Sequence, residues 1–126
     1  MDQARLKDVP FFSSMSGQDL AAIAQQTDEI SAPSGTVLAR EGDLGDVFFV
    51  IESGTALVTR GGAPVAKLGA GDFFGEVALI REERRTATVT ATSPMVLIVM
   101  TGADFRSLDR SRPEIREAVS KALAER

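Results

Sequence analysis

Hydrophobic positions recur at helical spacing near both ends of this chain and at strand spacing through its middle. Ser16 is placed to cap a helix over Gly17–Gln26, in which Leu20, Ile23 and Ala24 form one apolar stripe. Phe11 or Phe12 can staple the start of that helix, and both read as core residues. From Ala32-Pro33-Ser34-Gly35 onward the pattern shortens. Strands are predicted at Thr36–Ala39, Val47–Glu52, Ala56–Thr59, Val65–Leu68, Thr86–Thr92 and Met95–Met100, with turns at Gly42-Asp43, Ser53-Gly54, Gly61-Gly62 and Ser93-Pro94. Helical spacing then returns. Gly102–Leu108 predicts a short helix, and Arg112-Pro113 starts a second with proline at its first turn. Ile115, Val119 and Leu123 share one face of that last helix, with Ala118 and Ala122 beside them and Arg116, Glu117 and Lys121 elsewhere.

Helices, then strands, then helices predict a single α+β domain over 1–126. Its parts are a helical segment 1–31, a barrel segment 32–101 and C-terminal helices over 102–126. Short strands with glycine punctuation suggest that the middle is an antiparallel β jelly-roll barrel.

The most informative stretch runs from Phe74 to Ala91. Gly75 allows backbone to approach a ligand closely. Glu76-Val77-Ala78-Leu79-Ile80 can form one helical turn, whose free N–H groups favour an anion. The next strand alternates strictly, with Thr86, Thr88, Thr90 and Thr92 on one face and Ala87, Val89 and Ala91 on the other. Extending that register backward puts Arg85 on the apolar face and Arg84 toward solvent. A guanidinium aimed inward keeps its charge, so it needs an anion, and its planar fork suits a phosphate or a carboxylate.

Plainer readings stand beside these. Arg84 and Arg85 can be solvated bases that balance Glu82 and Glu83. Glu76 can be a helix-start carboxylate favoured by the dipole, and Thr86 a strand residue of good β propensity.

Composition removes several classes of function. The chain has 126 residues, 44% hydrophobic and 25% charged, enough for one core and too few for a second domain. Fourteen basic against eighteen acidic residues give a net charge of −4, so a nucleic-acid partner is not expected. No cysteine or histidine is present, which removes thiol nucleophiles, zinc thiolates and the commonest general base. An enzyme is therefore not expected. A cupin-type enzyme on the same kind of barrel would normally need histidine ligands. The longest apolar run, Met95–Met100, is too short to span a bilayer, and Met1-Asp2-Gln3-Ala4-Arg5 does not open a signal peptide. No membrane partner and a cytoplasmic location are expected.

Phe74-Gly75-Glu76, then Ala78-Leu79, then Arg85-Thr86-Ala87-Thr88-Val89 resemble the phosphate-binding cassette of the cyclic-nucleotide-binding domain family. That family is found in cAMP-dependent kinase regulatory subunits, nucleotide-gated channels and bacterial cAMP receptor proteins. Upstream, Glu41-Gly42-Asp43, Gly45-Asp46 and the run Val47 to Gly54 resemble the family's glycine-marked strands, and Gly71-Asp72 its entry to the cassette. The resemblance covers nearly the whole chain. One departure is Arg84, where many members carry proline.

The resemblance implies a ligand site of Gly75, Glu76, Val77, Ala78, Arg85 and Thr86. Arg85 would take the exocyclic oxygens of a 3′,5′-cyclic phosphate, with the Ala78 and Thr86 amides completing the cradle. Glu76 would accept from the ribose 2′-hydroxyl, Gly75 would lie against the same sugar, and Thr86 would sit beside the purine. The function implied is a cAMP sensor, with cGMP the second candidate because the Thr86 hydroxyl can meet a guanine 2-amino group. No cofactor or metal is implied. The last helix would be a lid that reports occupancy to an effector protein or fused effector domain, although it can equally be a core-packing helix. A protein-interaction module of the same fold that binds no nucleotide is the alternative.

Overall fold

The computed structural model describes residues 2–124. Met1, Glu125 and Arg126 lie outside the described residues, and with them the outer ends of the 1–126 domain and of the 102–126 segment. The elements in chain order begin with α1 (Gln3–Lys7), α2 (Gly17–Gln26), β1 (Asp28–Ala32), β2 (Val37–Ala39), β3 (Leu44–Gly45), β4 (Val47–Ser53), β5 (Ala56–Arg60) and β6 (Ala63–Leu68). Then follow β7 (Phe73–Phe74), a 3-10 turn (Glu76–Leu79), β8 (Glu83–Arg84), β9 (Thr88–Ala91), β10 (Met95–Thr101), α3 (Gly102–Ser111) and α4 (Glu114–Ala124).

Two antiparallel four-stranded sheets face each other, one in the order β1-β10-β4-β7 and the other β2-β9-β5-β6. With the flanking helices they make the expected α+β jelly roll. The run Val47–Ile51 is apolar on both faces because its sheet is covered on both sides. Phe49 and Ile51 point between the sheets, with Phe74, Val89, Ala91 and Leu97. Phe48 and Val50 point outward into a second core, where Phe11, Phe12, Leu20, Ile23, Phe105, Ile115 and Val119 meet them from the helices. The rings of Phe11, Phe12, Phe48 and Phe73 make edge or tilted contacts at 5.0–5.9 Å, and Phe49 stacks on Phe74 at 4.6 Å across the β4–β7 pair. Each fully buried aliphatic chain in these cores contributes about 1.5–3 kcal/mol.

Helix starts follow their caps. The Ser16 hydroxyl accepts from the Asp19 N–H at 3.1 Å, and the Thr101 hydroxyl accepts from the Asp104 N–H at 3.1 Å. α1 is capped by Asp2 and tied to the sheet by Arg5, which forms ion pairs with both Glu29 of β1 and Glu52 of β4. Among the described residues no helix is long and apolar enough to cross a membrane.

Two differences from the sequence-based expectations have physical causes. Residues 28–31, assigned above to the helical segment, belong to β1, which pairs with β10. Four of its five residues are exposed, so this edge strand carries no alternation to read. The strand expected from Thr86 begins only at Thr88. Before it, the backbone of Arg85 is committed to the 42–43 turn: its N–H donates to Asp43 O at 2.7 Å, and its carbonyl accepts from the Gly42 N–H at 2.8 Å. α4 was expected either as a lid or as a core-packing helix. Its Ile115, Val119 and Ala122 are buried in the helical core, and its side chains stand away from the cavity described next.

Candidate functional site

The open end of the β2-β9-β5-β6 sheet and the segment from Phe74 to Ala87 enclose a cavity of about 380 Å³, a size suited to a small ligand. All six residues singled out in the sequence line it: Gly75, Glu76, Val77 and Ala78 on one side, Arg85 and Thr86 on another. Its apolar wall comes from Ala39, Val58, Val65, Ala66, Leu68 and Val89.

Arg85 is half-buried, and its Nη2 donates to the Val47 carbonyl at 2.8 Å. Burial pushes its pKa down from the ordinary arginine value, while the nearby carboxylates of Asp46 and Glu76 pull it back up. The guanidinium stays charged, because an arginine starts so far above neutrality. Two glycines make room for it. A Cβ on Gly45 would stand 2.0 Å from Arg85 Nε, and one on Gly75 would stand 2.6 Å from Nη1 and 2.7 Å from Val47 O. Gly75 also sits at φ +79°, a left-handed conformation that side chains disfavour.

The helical turn after Gly75 is a 3-10 turn, and this changes one expectation. The Ala78 N–H, offered above to a phosphate, donates instead to Gly75 O at 3.0 Å. A ligand would have to compete for that donor. Val77 is exposed at the cavity mouth, and Glu76 lies on the cavity side of the same turn. Thr86 is exposed, and its carbonyl accepts from Arg60 Nε at 3.1 Å.

Arg84 faces solvent as its parity predicts, yet it also lines the cavity and donates Nη1 to Gly42 O at 2.8 Å. That bond and the short β3–β8 pairing hold the tip of the segment. Among the described residues, no group of three or more acidic side chains is placed to hold a metal ion.

Sequence reasoning missed Gly45 as the close neighbour of Arg85, the apolar wall on β5 and β6, and Arg60. Gly45 was visible only as a strand marker. Its partner lies forty positions downstream, and no local pattern links them.

From the cavity the 3-10 turn leads directly into the helical core. Ala78 O accepts from Arg106 Nη1 of α3 at 3.1 Å, and Leu79 is buried among Phe105, Ile115 and Val119. The start of α3 is pressed against the same turn. The Gly102 N–H donates to Asp46 O at 2.7 Å, and a Cβ on Gly102 would meet Ala78 O at 2.0 Å.

Comparison with known proteins identifies the family of the chain. The family model for the cyclic nucleotide-binding domain matches residues 29–112. A cyclic nucleotide-gated potassium channel of Rhizobium etli is 39% identical over 94% of this chain, and a cAMP-dependent protein kinase regulatory subunit of Aspergillus niger is 36% identical over 86%. The chain spans 33% and 27% of the lengths of those two relatives. Among solved structures, the regulatory domain of Toxoplasma gondii PKA in co-crystal with cAMP is 32% identical at a TM-score of 0.78, covering 98% of this chain and 49% of that one. A cyclic nucleotide-binding domain from Methylobacillus flagellatus shares the fold at a TM-score of 0.85 and 23% identity, covering 98% of this chain and 74% of that one. The family match over residues 29–112, on a jelly roll shared with solved members, shows that this chain belongs to the cyclic nucleotide-binding domain family.

Proposed function

We propose that this domain binds a 3′,5′-cyclic nucleotide in the Arg85 cavity, cAMP in preference to cGMP, and reports occupancy through α4 to an effector protein or fused effector domain. It acts by binding and not by catalysis, in the cytoplasm. The observation that carries the reading is Arg85, held between Gly45 and Gly75 on the wall of a 380 Å³ cavity that Glu76 also lines. A cyclic phosphate is a compact monoanion that such a guanidinium can meet with two parallel hydrogen bonds. The Thr86 amide, and the Ala78 amide once released from Gly75 O, would complete the cradle. Glu76 would take the ribose 2′-hydroxyl with Gly75 against the sugar, and Thr86 would lie beside the base.

Relatives named as cAMP-dependent kinase subunits favour cAMP. The Thr86 hydroxyl keeps cGMP as the second ligand.

The reporting step is supported by one four-residue turn that carries both cavity residues and the core residue Leu79. A ligand that draws the Ala78 N–H away from Gly75 O would reshape this turn, and Leu79 would move against Phe105, Ile115 and Val119. α3 and α4 would then redock.

Saturating cAMP is expected to raise the melting temperature. A ligand at a hundredfold excess over its Kd stabilises by about 2.7 kcal/mol, several degrees or more for a domain this size. AMP, with an uncyclised dianionic phosphate, should do much less. No shift with either cyclic nucleotide at millimolar concentration would end the sensor reading in favour of an interaction module that binds no nucleotide.

The ribose role has its own test. Glu76→Ala should weaken cAMP by about 1–2 kcal/mol and 2′-deoxy-cAMP much less, since only cAMP offers the hydroxyl. Equal losses on both ligands would remove Glu76 from the sugar.

A further inference from the structure

One charged group on the cavity wall, Arg60, was given no part in holding the phosphate or the ribose. Val58 and Arg60 are two residues apart on β5 and share its cavity side. Val65, Ala66 and Leu68 of β6 continue the wall. The β5–β6 pairing slips between Val58 and Thr59, and next to that slip the consecutive Val65 and Ala66 both reach the cavity. With the phosphate at Arg85 and the sugar at Glu76, the base is left to this apolar wall. Arg60 is the hydrogen-bond donor at the end of it.

Arg60 is positioned, not merely present. Its Nε donates to Thr86 O at 3.1 Å, and among the described residues that is its only polar contact. The turn after it is pinned as well. The Gly61 N–H donates to Glu41 Oε1 at 3.0 Å, and the Glu41 N–H donates to Thr88 Oγ1 at 3.0 Å. The guanidinium is thus anchored through one nitrogen beside Thr86, while both terminal nitrogens remain available to a ligand.

We propose that Arg60 is a specificity-determining residue that reads the six-position edge of the bound purine and raises affinity for 6-oxopurine cyclic nucleotides. The inference rests on the nucleotide reading and narrows its preference for cAMP without reversing it. Guanine and hypoxanthine present two acceptors, O6 and N7, to which a guanidinium can donate a matched pair of hydrogen bonds. Adenine presents N7 and a 6-amino donor, which meets the guanidinium donor to donor. Arg60 therefore adds affinity for cGMP and cIMP and little for cAMP. If its role were only to steady the cassette through Thr86 O, its loss would weaken every cyclic nucleotide alike.

Competition titrations of cAMP, cGMP and cIMP against the full chain, Arg60→Ala and Arg60→Lys separate these cases. Arg60→Ala should weaken cGMP and cIMP roughly five- to tenfold and cAMP by less than about twofold. Arg60→Lys, which keeps the charge without the fork, should recover only part of that loss. Uniform loss on all three ligands would make Arg60 a positioning residue and overturn the proposal, as would no change at all. Loss on cGMP without loss on cIMP would move recognition to the 2-amino group and also overturn it. Absence of binding by the unaltered chain to all three nucleotides would instead remove the nucleotide reading itself, and this inference with it.

Discussion

Replacing Arg85 by alanine is expected to weaken cAMP binding by roughly 2–5 kcal/mol, the range for removing one member of a desolvated charge pair. The cyclic phosphate would then face a half-buried wall without its cation. Arg84→Ala should cost under about 1 kcal/mol, because that side chain is exposed and spends Nη1 on Gly42 O. Titrating both variants with cAMP checks the pair, and equal losses would show that the two arginines do not divide the work as their environments indicate. Gly45→Ala supplies an independent probe. The added methyl would occupy the place of Arg85 Nε, and relieving the clash would move the guanidinium that now donates to Val47 O. Much of the Arg85→Ala loss should therefore appear without any change in charge.

Ile115→Ala is expected to destabilise the folded chain by about 2–5 kcal/mol, the usual range for emptying a well-packed aliphatic site. Ile115 is 0% exposed and sits with Val119, Leu79, Phe105 and the N-terminal phenylalanines in one cluster. A chain stopped at Arg112 would lose that whole face, so the point variant is the cleaner measurement, read as a fall in melting temperature. A loss below about 1 kcal/mol would mean that α4 is docked more loosely than its burial indicates. The reporting role of α4 is read separately, by hydrogen exchange at 114–124 with and without cAMP. Exchange that ignores the nucleotide would confine any switch to the 3-10 turn.

The elements legible in the sequence were those whose two faces differ, or whose apolar run is too short for a buried helix. The Thr88–Ala91 strand shows its alternation directly; Arg85 is half-buried and Arg84 exposed as expected, although the strand stops short of both and the 42–43 turn holds the backbone of Arg85. The helix after Ser16 was legible because cap and stripe agree. β1 was not, since its exposed edge residues look like loop. The cavity wall of β6 was only partly legible, because its residues are largely exposed and their shared feature is a concave shape, which periodicity does not encode. Nor could local pattern show that the Ala78 amide is turned onto Gly75, or decide between the lid and core-packing readings of the last helix. The first is a choice between 3-10 and α bonding within one short turn, and the second depends on contacts across the fold.

The central claim is that this cavity binds a cyclic nucleotide through Arg85. A calorimetric titration of the chain with cAMP, repeated on Arg85→Ala, tests it most directly. The expected result is saturable binding of one cAMP per chain, lost or weakened at least about thirtyfold in the variant, the lower end of a 2–5 kcal/mol effect. No heat of binding beyond dilution, with no cAMP retained in parallel equilibrium dialysis at millimolar concentration, would contradict the claim. So would saturable binding that Arg85→Ala leaves unchanged.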